Sequence, residues 1–199
     1  MNVSERTARA NDLVQAMSLH DPYTAYHLEA TAALAKRIAI AMSLTAEQIE
    51  TIELAARLHD VGKMRVEVRV LGKVAKLEPD EWQQLLAHAE AGEAIIASIP
   101  VLAYLAPIVG AHHERPDGHG YPRRLRLAEI PLEARVVSVA DVFHAMTTDR
   151  PYAKARSPLE ALGELHRYAG EQFDRDVVDA TIKLFGYTHK TLRAAAQAC

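Results

Sequence analysis

Apolar positions recur at three- and four-residue intervals along almost the whole chain, the spacing that lines up side chains on one stripe of an α-helix. Between Tyr26 and Met42 the positions Leu34, Ala35, Ile38 and Ala41 form such a stripe. Thr45-Ala46-Glu47-Gln48 has the form of a capping box, with a Thr oxygen for the amide three residues on and a Gln to answer it. Ile49, Ile52 and Ala56 then share a face, so a helix is expected from there to about Leu58. Glu78-Pro79-Asp80-Glu81 opens another, because proline loses nothing in a first turn and carboxylates favour the positive end of the dipole; His88 is expected inside it. Leu102 to His113 predicts a further apolar helix bearing Leu105, Ile108 and Val109. Ser157-Pro158-Leu159-Glu160 repeats the cap signature and starts a helix to about Tyr168, and Asp174 is expected to cap the next.

One stretch is ambiguous. The valines of Arg135-Val136-Val137-Ser138-Val139-Ala140-Asp141-Val142 favour a strand, since β-branched side chains lose rotamers in a helix, but the rest of the chain offers no strand to pair with it. It is therefore read as helix. Glycine and proline punctuate Arg115-Pro116-Asp117-Gly118-His119-Gly120-Tyr121-Pro122, which reads as a structured loop. The expected fold is all-α: a compact single-domain helical bundle. A helical extension over residues 1–20 and a helical tail over 187–199 would flank a central domain over 21–186.

The length of 199 residues suits one domain with a core of useful size. No apolar run is long and charge-free enough to span a bilayer, so no membrane role is expected. Met1-Asn2-Val3-Ser4-Glu5-Arg6 lacks the basic start and apolar stretch of a secretory signal, which makes the cytoplasm the expected location. A formal charge of −3 argues against a protein that coats duplex nucleic acid, although Arg123-Arg124-Leu125-Arg126 could contribute to a local anion site. The single cysteine, Cys199, excludes a thiolate-rich metal site. Any metal has to be held by nitrogen and oxygen.

Two doublets offer those donors: His59-Asp60 in Leu58-His59-Asp60-Val61-Gly62-Lys63, and His112-His113 in Ala111-His112-His113-Glu114. A lone histidine is more often a hydrogen-bonded, half-buried side chain than a ligand; the joint pattern with His27, His88 and Asp141 changes the odds. Asp141 sits on an apolar stretch where an unpartnered carboxylate would cost several kcal/mol, so it should meet a cation. Adjacent side chains on a helix face different ways, so His112 and His113 suit two metals, or two sides of one pocket, better than a single chelate. Asp60 has two oxygens and can bridge two ions.

These residues resemble the HD superfamily of metal-dependent phosphohydrolases. His112-His113-Glu114 with Asp117-Gly118 and Gly120-Tyr121-Pro122 is similar to its HD-GYP subfamily in particular. Matching pieces run from Asp21-Pro22-Tyr23-Thr24 through Glu129-Ile130-Pro131-Leu132, Asp141-Val142-Phe143 and Asp149-Arg150-Pro151-Tyr152 to Gln172-Phe173-Asp174. The resemblance implies an HD-type helical fold and hydrolysis of cyclic di-GMP by a metal-activated hydroxide. Metal ligands would fall on His27, His59, Asp60, His88, His112, His113 and Asp141, with Asp60 as the bridge. Lys63 would lie near the scissile phosphate and act with Asp60 in catalysis. Gly120, Tyr121, Pro122, Arg150 and Lys154 would line the substrate site.

The chain departs from the family pattern at several points. Tyr23 stands where trinuclear members carry a glutamate, so two divalent ions are expected, with iron or manganese favoured over zinc, nickel or cobalt. Val66-Glu67-Val68 and Lys73-Val74-Ala75 replace the usual segments after the lysine. Pro116, His119 and His144 replace an aromatic, a small residue and an aspartate, and Ala153 replaces a basic residue that Lys154 could supply. The expected product is linear pGpG. The alternatives are a cyclic di-GMP receptor or docking module for a partner such as a diguanylate cyclase, and an HD phosphohydrolase acting on another nucleotide.

Overall fold

The cap signatures form locally as the sequence dictates. Thr45 Oγ1 accepts from the Gln48 amide at 3.2 Å while Gln48 Oε1 accepts from the Thr45 amide at 3.1 Å. Ser157 and Glu160 make the same reciprocal pair, and Asp174 accepts from the amide of Asp176 at 2.8 Å. The computed structural model describes residues 3–20, 22–149 and 154–192. In chain order it contains α1 (Val3–His20), α2 (Pro22–Ala41), α3 (Ala46–Leu58), a short 3-10 helix (Val61–Arg65), α4 (Val68–Leu71) and α5 (Pro79–Leu86). It continues with α6 (His88–Ala97), α7 (Ala106–Ala111), α8 (Leu132–Thr147), α9 (Pro158–Arg167) and α10 (Arg175–Leu184). The fold is all-α; among the described residues the only β pairings are isolated bridges at Asp117–Arg126 and Ala169–Phe173.

Two expected helices are interrupted, and both breaks bear on the site. The helix opened by Glu78 ends at Leu86, so His88 is the first residue of α6 and not an interior position. The segment from Leu102 begins as a 3-10 turn at Ala103–Leu105, because Pro107 has no amide to offer and the α-helix restarts around it. That helix stops at Ala111, with His112 as its C-cap. The valine-rich stretch is helical: α8 buries Val136, Val137 and Val139. Burial on a helix packed from several sides outweighs the rotamer preference of β-branched residues.

Helix α2 lies against α3 and α8, and α6 against α7 and the 3-10 helix. Leu28 and Ile38 of α2, Ile52 and Leu58 of α3, Leu105, Val137, Leu162 and Ile182 are fully buried in one continuous apolar cluster. Ala10, Val14 and Met17 of α1, and Leu192 beyond α10, enter the same cluster. Among the described residues no helix is long and apolar enough to cross a membrane.

The closest backbone approach in this packing is at Gly62. A Cβ there would overlap the carbonyl oxygen of His88 and come within 2.5 Å of the Gly92 amide nitrogen. The 3-10 helix after His59-Asp60 can therefore seat on α6 only through glycine. Gly62→Ala is expected to destabilise the fold by about 1–3 kcal/mol through overpacking, read as a lowered midpoint in denaturant unfolding. An unchanged midpoint would show that the contact can relax.

Candidate metal centre

Three of the histidines sit at or just after helix C-termini, where the last carbonyls have no amide to accept from. His59 caps α3 with Nδ1 at 2.7 Å from the Ala56 carbonyl oxygen, and His112 caps α7 with Nδ1 at 2.6 Å from that of Val109. His88, just past α5, places Nδ1 at 2.5 Å from the Leu85 carbonyl oxygen. A carbonyl only accepts, so each ring carries its proton on Nδ1 and, while neutral, presents Nε2 as a lone pair. The backbone thus selects the tautomer.

The Nε2 atoms converge. Asp60, His88, His112 and His113 bring donor atoms within 4.8 Å of one another, and so do His27, His59 and Asp60. His88 Nε2 lies 3.4 Å from His112 Nε2 and 3.1 Å from His113 Nε2. Asp60 belongs to both groups: Oδ1 is 3.5 Å from His88 Nε2, and Oδ2 is 3.4 Å from His59 Nε2. Asp141 joins the second group, with Oδ1 at 3.0 Å from His27 Nε2 and 3.8 Å from His59 Nε2. His59, Asp60, His88 and His112 are almost fully buried.

Charge and burial agree with a cation-binding role. Desolvation, with neighbouring imidazoles, pushes His112 well below the ordinary histidine range; desolvation and His88 push His113 down to about 3. These rings are neutral near pH 7, and His112 and His88, each with its proton held on Nδ1, face one another lone pair to lone pair at Nε2. His59 behaves oppositely. Burial opposes its charge, but Asp60 and Asp141 outweigh burial and raise it to about 9. Its buried Nε2 nevertheless makes no hydrogen bond of good geometry, the Asp60 carboxylate standing 3.4 Å away. Two carboxylates therefore demand positive charge at that atom, which a proton or a metal ion can supply. Convergent nitrogen lone pairs, an orphaned Nε2 and a carboxylate facing both groups fit divalent cations bound by nitrogen and oxygen.

The loop after His113 is anchored to this cluster. Glu114 is buried, and its carboxylate accepts from the amide of Arg123 at 2.6 Å and from that of Leu125 at 2.9 Å, which closes the loop into a ring. Gly120 crosses so close to the chain that a Cβ would sit 2.5 Å from Glu114 Cα. The Tyr121 ring then stacks on His113, with centroids 4.7 Å apart and planes at 26°. Burial, with Asp60 and Asp141 nearby, pushes the Tyr121 hydroxyl above its ordinary pKa, so the phenol stays protonated. Lys63 holds its Nζ 2.7 Å from Asp60 Oδ2 at the edge of the cluster.

A family model described as HD domain matches residues 6–177. The chain belongs to the HD domain family. It is 38% identical over 166 residues to a cyclic di-GMP phosphodiesterase of Thermotoga maritima, covering 82% of this chain and 45% of that protein. It is 39% identical over 139 residues to the 3′3′-cGAMP-specific phosphodiesterase 3 of Vibrio cholerae, covering 70% of this chain and 30% of that protein. The chain spans less than half the length of these curated relatives. Bd1817, an HDG"Y"P protein from Bdellovibrio bacteriovorus, shares the fold at a TM-score of 0.68 and 18% identity, over 82% of this chain and 52% of its own. The HD-GYP resemblance carried by Gly120-Tyr121-Pro122 accords with these relatives.

In this HD domain all seven expected ligand residues meet in one region. The doublet His112-His113 differs from the expectation of two metals or two sides of a pocket. Both rings join the same group, with centroids 3.9 Å apart, because the helix ends at Ala111 and the turn that follows re-aims His113. Gly120 is required by the chain's own backbone at Glu114, a demand that exists before any ligand arrives. Lys154 is exposed before α9 and takes no part in the contacts above. Arg150 lies outside the described residues, as does the side chain of Tyr23. Arg123 pairs with Glu93 at 2.7 Å, so part of the basic run has a structural role.

Two residues to which sequence reading gives no role emerge from the geometry. Glu114 closes the loop, and His144 touches His27. The signal for Glu114 was its place beside a buried histidine pair; for His144 it was its position one turn after Asp141 on the same helix. Glu114→Ala would leave two buried amides without an acceptor, at about 1–3 kcal/mol each. The Arg123 and Leu125 amides are expected to lose hydrogen-exchange protection in that variant; unaltered exchange would rule out the clamp.

Proposed function

We propose that this chain is a metal-dependent phosphodiesterase that opens cyclic di-GMP to linear pGpG, with residues 21–186 as the catalytic domain. The observation that carries the reading is the Asp60 carboxylate, buried with one oxygen toward His88 and the other toward His59. Asp60 with His88, His112 and His113 would hold one divalent ion, and Asp60 with His27, His59 and Asp141 would hold a second. Relatives bearing the names cyclic di-GMP phosphodiesterase and 3′3′-cGAMP-specific phosphodiesterase support a cyclic dinucleotide as substrate.

Bound divalent ions, iron or manganese by preference for this donor mix, would supply Lewis acidity toward water and the phosphodiester oxygens. The chain's own groups set the geometry. Histidine Nδ1–H bonds to helix-end carbonyls hold three donors without reorganisation, a preorganised arrangement. In hydrolysis water adds at phosphorus, the bond from phosphorus to the ribose 3′-oxygen breaks, and that oxygen takes up a proton. The Lys63 ammonium, beside Asp60, is placed to offset charge building on the phosphoryl oxygens, with Arg150 assigned the same task. The Tyr121 ring, stacked on His113, offers a face for a guanine base.

The test is elemental analysis of the purified protein together with turnover of cyclic di-GMP and 3′3′-cGAMP. Two equivalents of divalent metal and pGpG as the main product are expected. Chelation should abolish turnover, and re-addition of iron(II) or manganese(II) should restore it. Asp60→Ala should lose metal from both groups and lower kcat by at least about 1,000-fold, in line with loss of transition-state electrostatics. Cyclic di-GMP binding without turnover, unaffected by Asp60→Ala, would instead mark a receptor or docking module.

A further inference from the structure

His27 is the exception among the buried histidines. His59, His88 and His112 each give Nδ1–H to a carbonyl oxygen near a helix end, whereas His27 lies inside α2, where backbone carbonyls are engaged by the amides four residues on. Its Nδ1 meets another imidazole: His144 Nδ1 is 2.9 Å away, with ring centroids 5.0 Å apart. His144 Nε2 in turn lies 3.1 Å from the Thr148 hydroxyl, and the other nitrogen of His27 lies 3.0 Å from Asp141 Oδ1. Thr148, His144, His27 and Asp141 therefore form one continuous hydrogen-bonded chain into the cluster.

Such a chain has two proton arrangements with the same net charge. In one, the Thr148 hydroxyl donates to His144 Nε2, His144 Nδ1–H donates to His27 Nδ1, and His27 Nε2–H donates to Asp141. In the other, the two imidazole protons sit on the opposite nitrogens: His27 Nδ1–H donates to His144 Nδ1, His144 Nε2–H donates to Thr148 Oγ1, whose own proton turns away, and Asp141 loses its donor. Only the second leaves a lone pair on His27 Nε2. A carbonyl partner would lock that state, since it accepts and cannot donate; an imidazole partner permits both.

We infer that His144 is a positioning residue for His27 that lets the pair exchange tautomers as a divalent ion binds, which makes the His27, His59 and Asp60 group the weaker of the two metal positions. The inference rests on the metal-binding reading above. Partners of the non-ligating nitrogen of a metal-bound histidine typically tune metal affinity 10- to 100-fold, and here the partner is one that also stabilises the metal-free tautomer.

The experiment is zinc titration of metal-free full chain by calorimetry, for the native sequence, His144→Leu and His144→Asn, with thermal unfolding of each recorded alongside. Asn places an acceptor oxygen near the position of Nδ1; Leu has similar branching and no acceptor. Two classes of zinc binding are expected in the native chain. His144→Leu should weaken the looser class about 10- to 100-fold and leave the tighter class unchanged, and His144→Asn should restore most of the loss. In the zinc-loaded native protein, labelled histidine nitrogens should show a coupling across the hydrogen bond between the Nδ1 atoms of His27 and His144. That measurement needs no variant to fold. Two unchanged classes in a folded His144→Leu, or no such coupling, would overturn the inference while leaving the metal reading intact. Loss of a third equivalent in both variants would make His144 a ligand and also overturn it. A native chain that takes up no ion would sink both.

Discussion

The direction of a neutral imidazole's lone pair is set by where its other nitrogen finds an acceptor, and in this protein that acceptor is mostly the end of a helix. Three helices stop within reach of one another, each with a carbonyl near its end that accepts from a histidine Nδ1. These bonds to helix-end carbonyls aim three Nε2 atoms at a common volume. Chain termination and donor placement are one event. Burial then keeps most of these rings neutral, while Asp60 and Asp141 supply the negative charge that draws a cation in.

Packing among the helices keeps those ends together. Helices α2 and α8 lie side by side, which brings His27 to Asp141, and α3 lies against both. The His88, His112 and His113 group hangs on α6 and α7, joined to the His27 and His59 group through the 3-10 helix that carries Gly62. Asp60 stands at that joint. Its position between groups follows from the backbone contact of the next turn more than from any side-chain preference of its own.

Much of this was legible in the sequence because its causes are local. Thr45 with Gln48, Ser157 with Glu160, and Asp174 announce helix starts through bonds spanning two or three residues. Apolar spacing announced the helices, and the resemblance of the doublets to a known pattern announced which donors meet. Interruptions were harder to read. His88 as the start of α6, and His113 turned to the same side as His112, depend on how α6 and α7 pack, which no window of neighbouring residues contains. The same holds for Glu114 and His144, whose partners lie about 10 and 117 residues away in the chain.

The stack of Tyr121 on His113 joins the loop to the cluster through one shared surface. A molecule that settles on the Gly-Tyr-Pro loop and shifts the phenol ring alters the surroundings of an imidazole donor, and an ion that draws that imidazole inward alters the ring the molecule would rest on. Thermodynamic reciprocity makes the two effects equal: by whatever factor occupancy of the loop changes cation affinity, the cation changes affinity at the loop by the same factor.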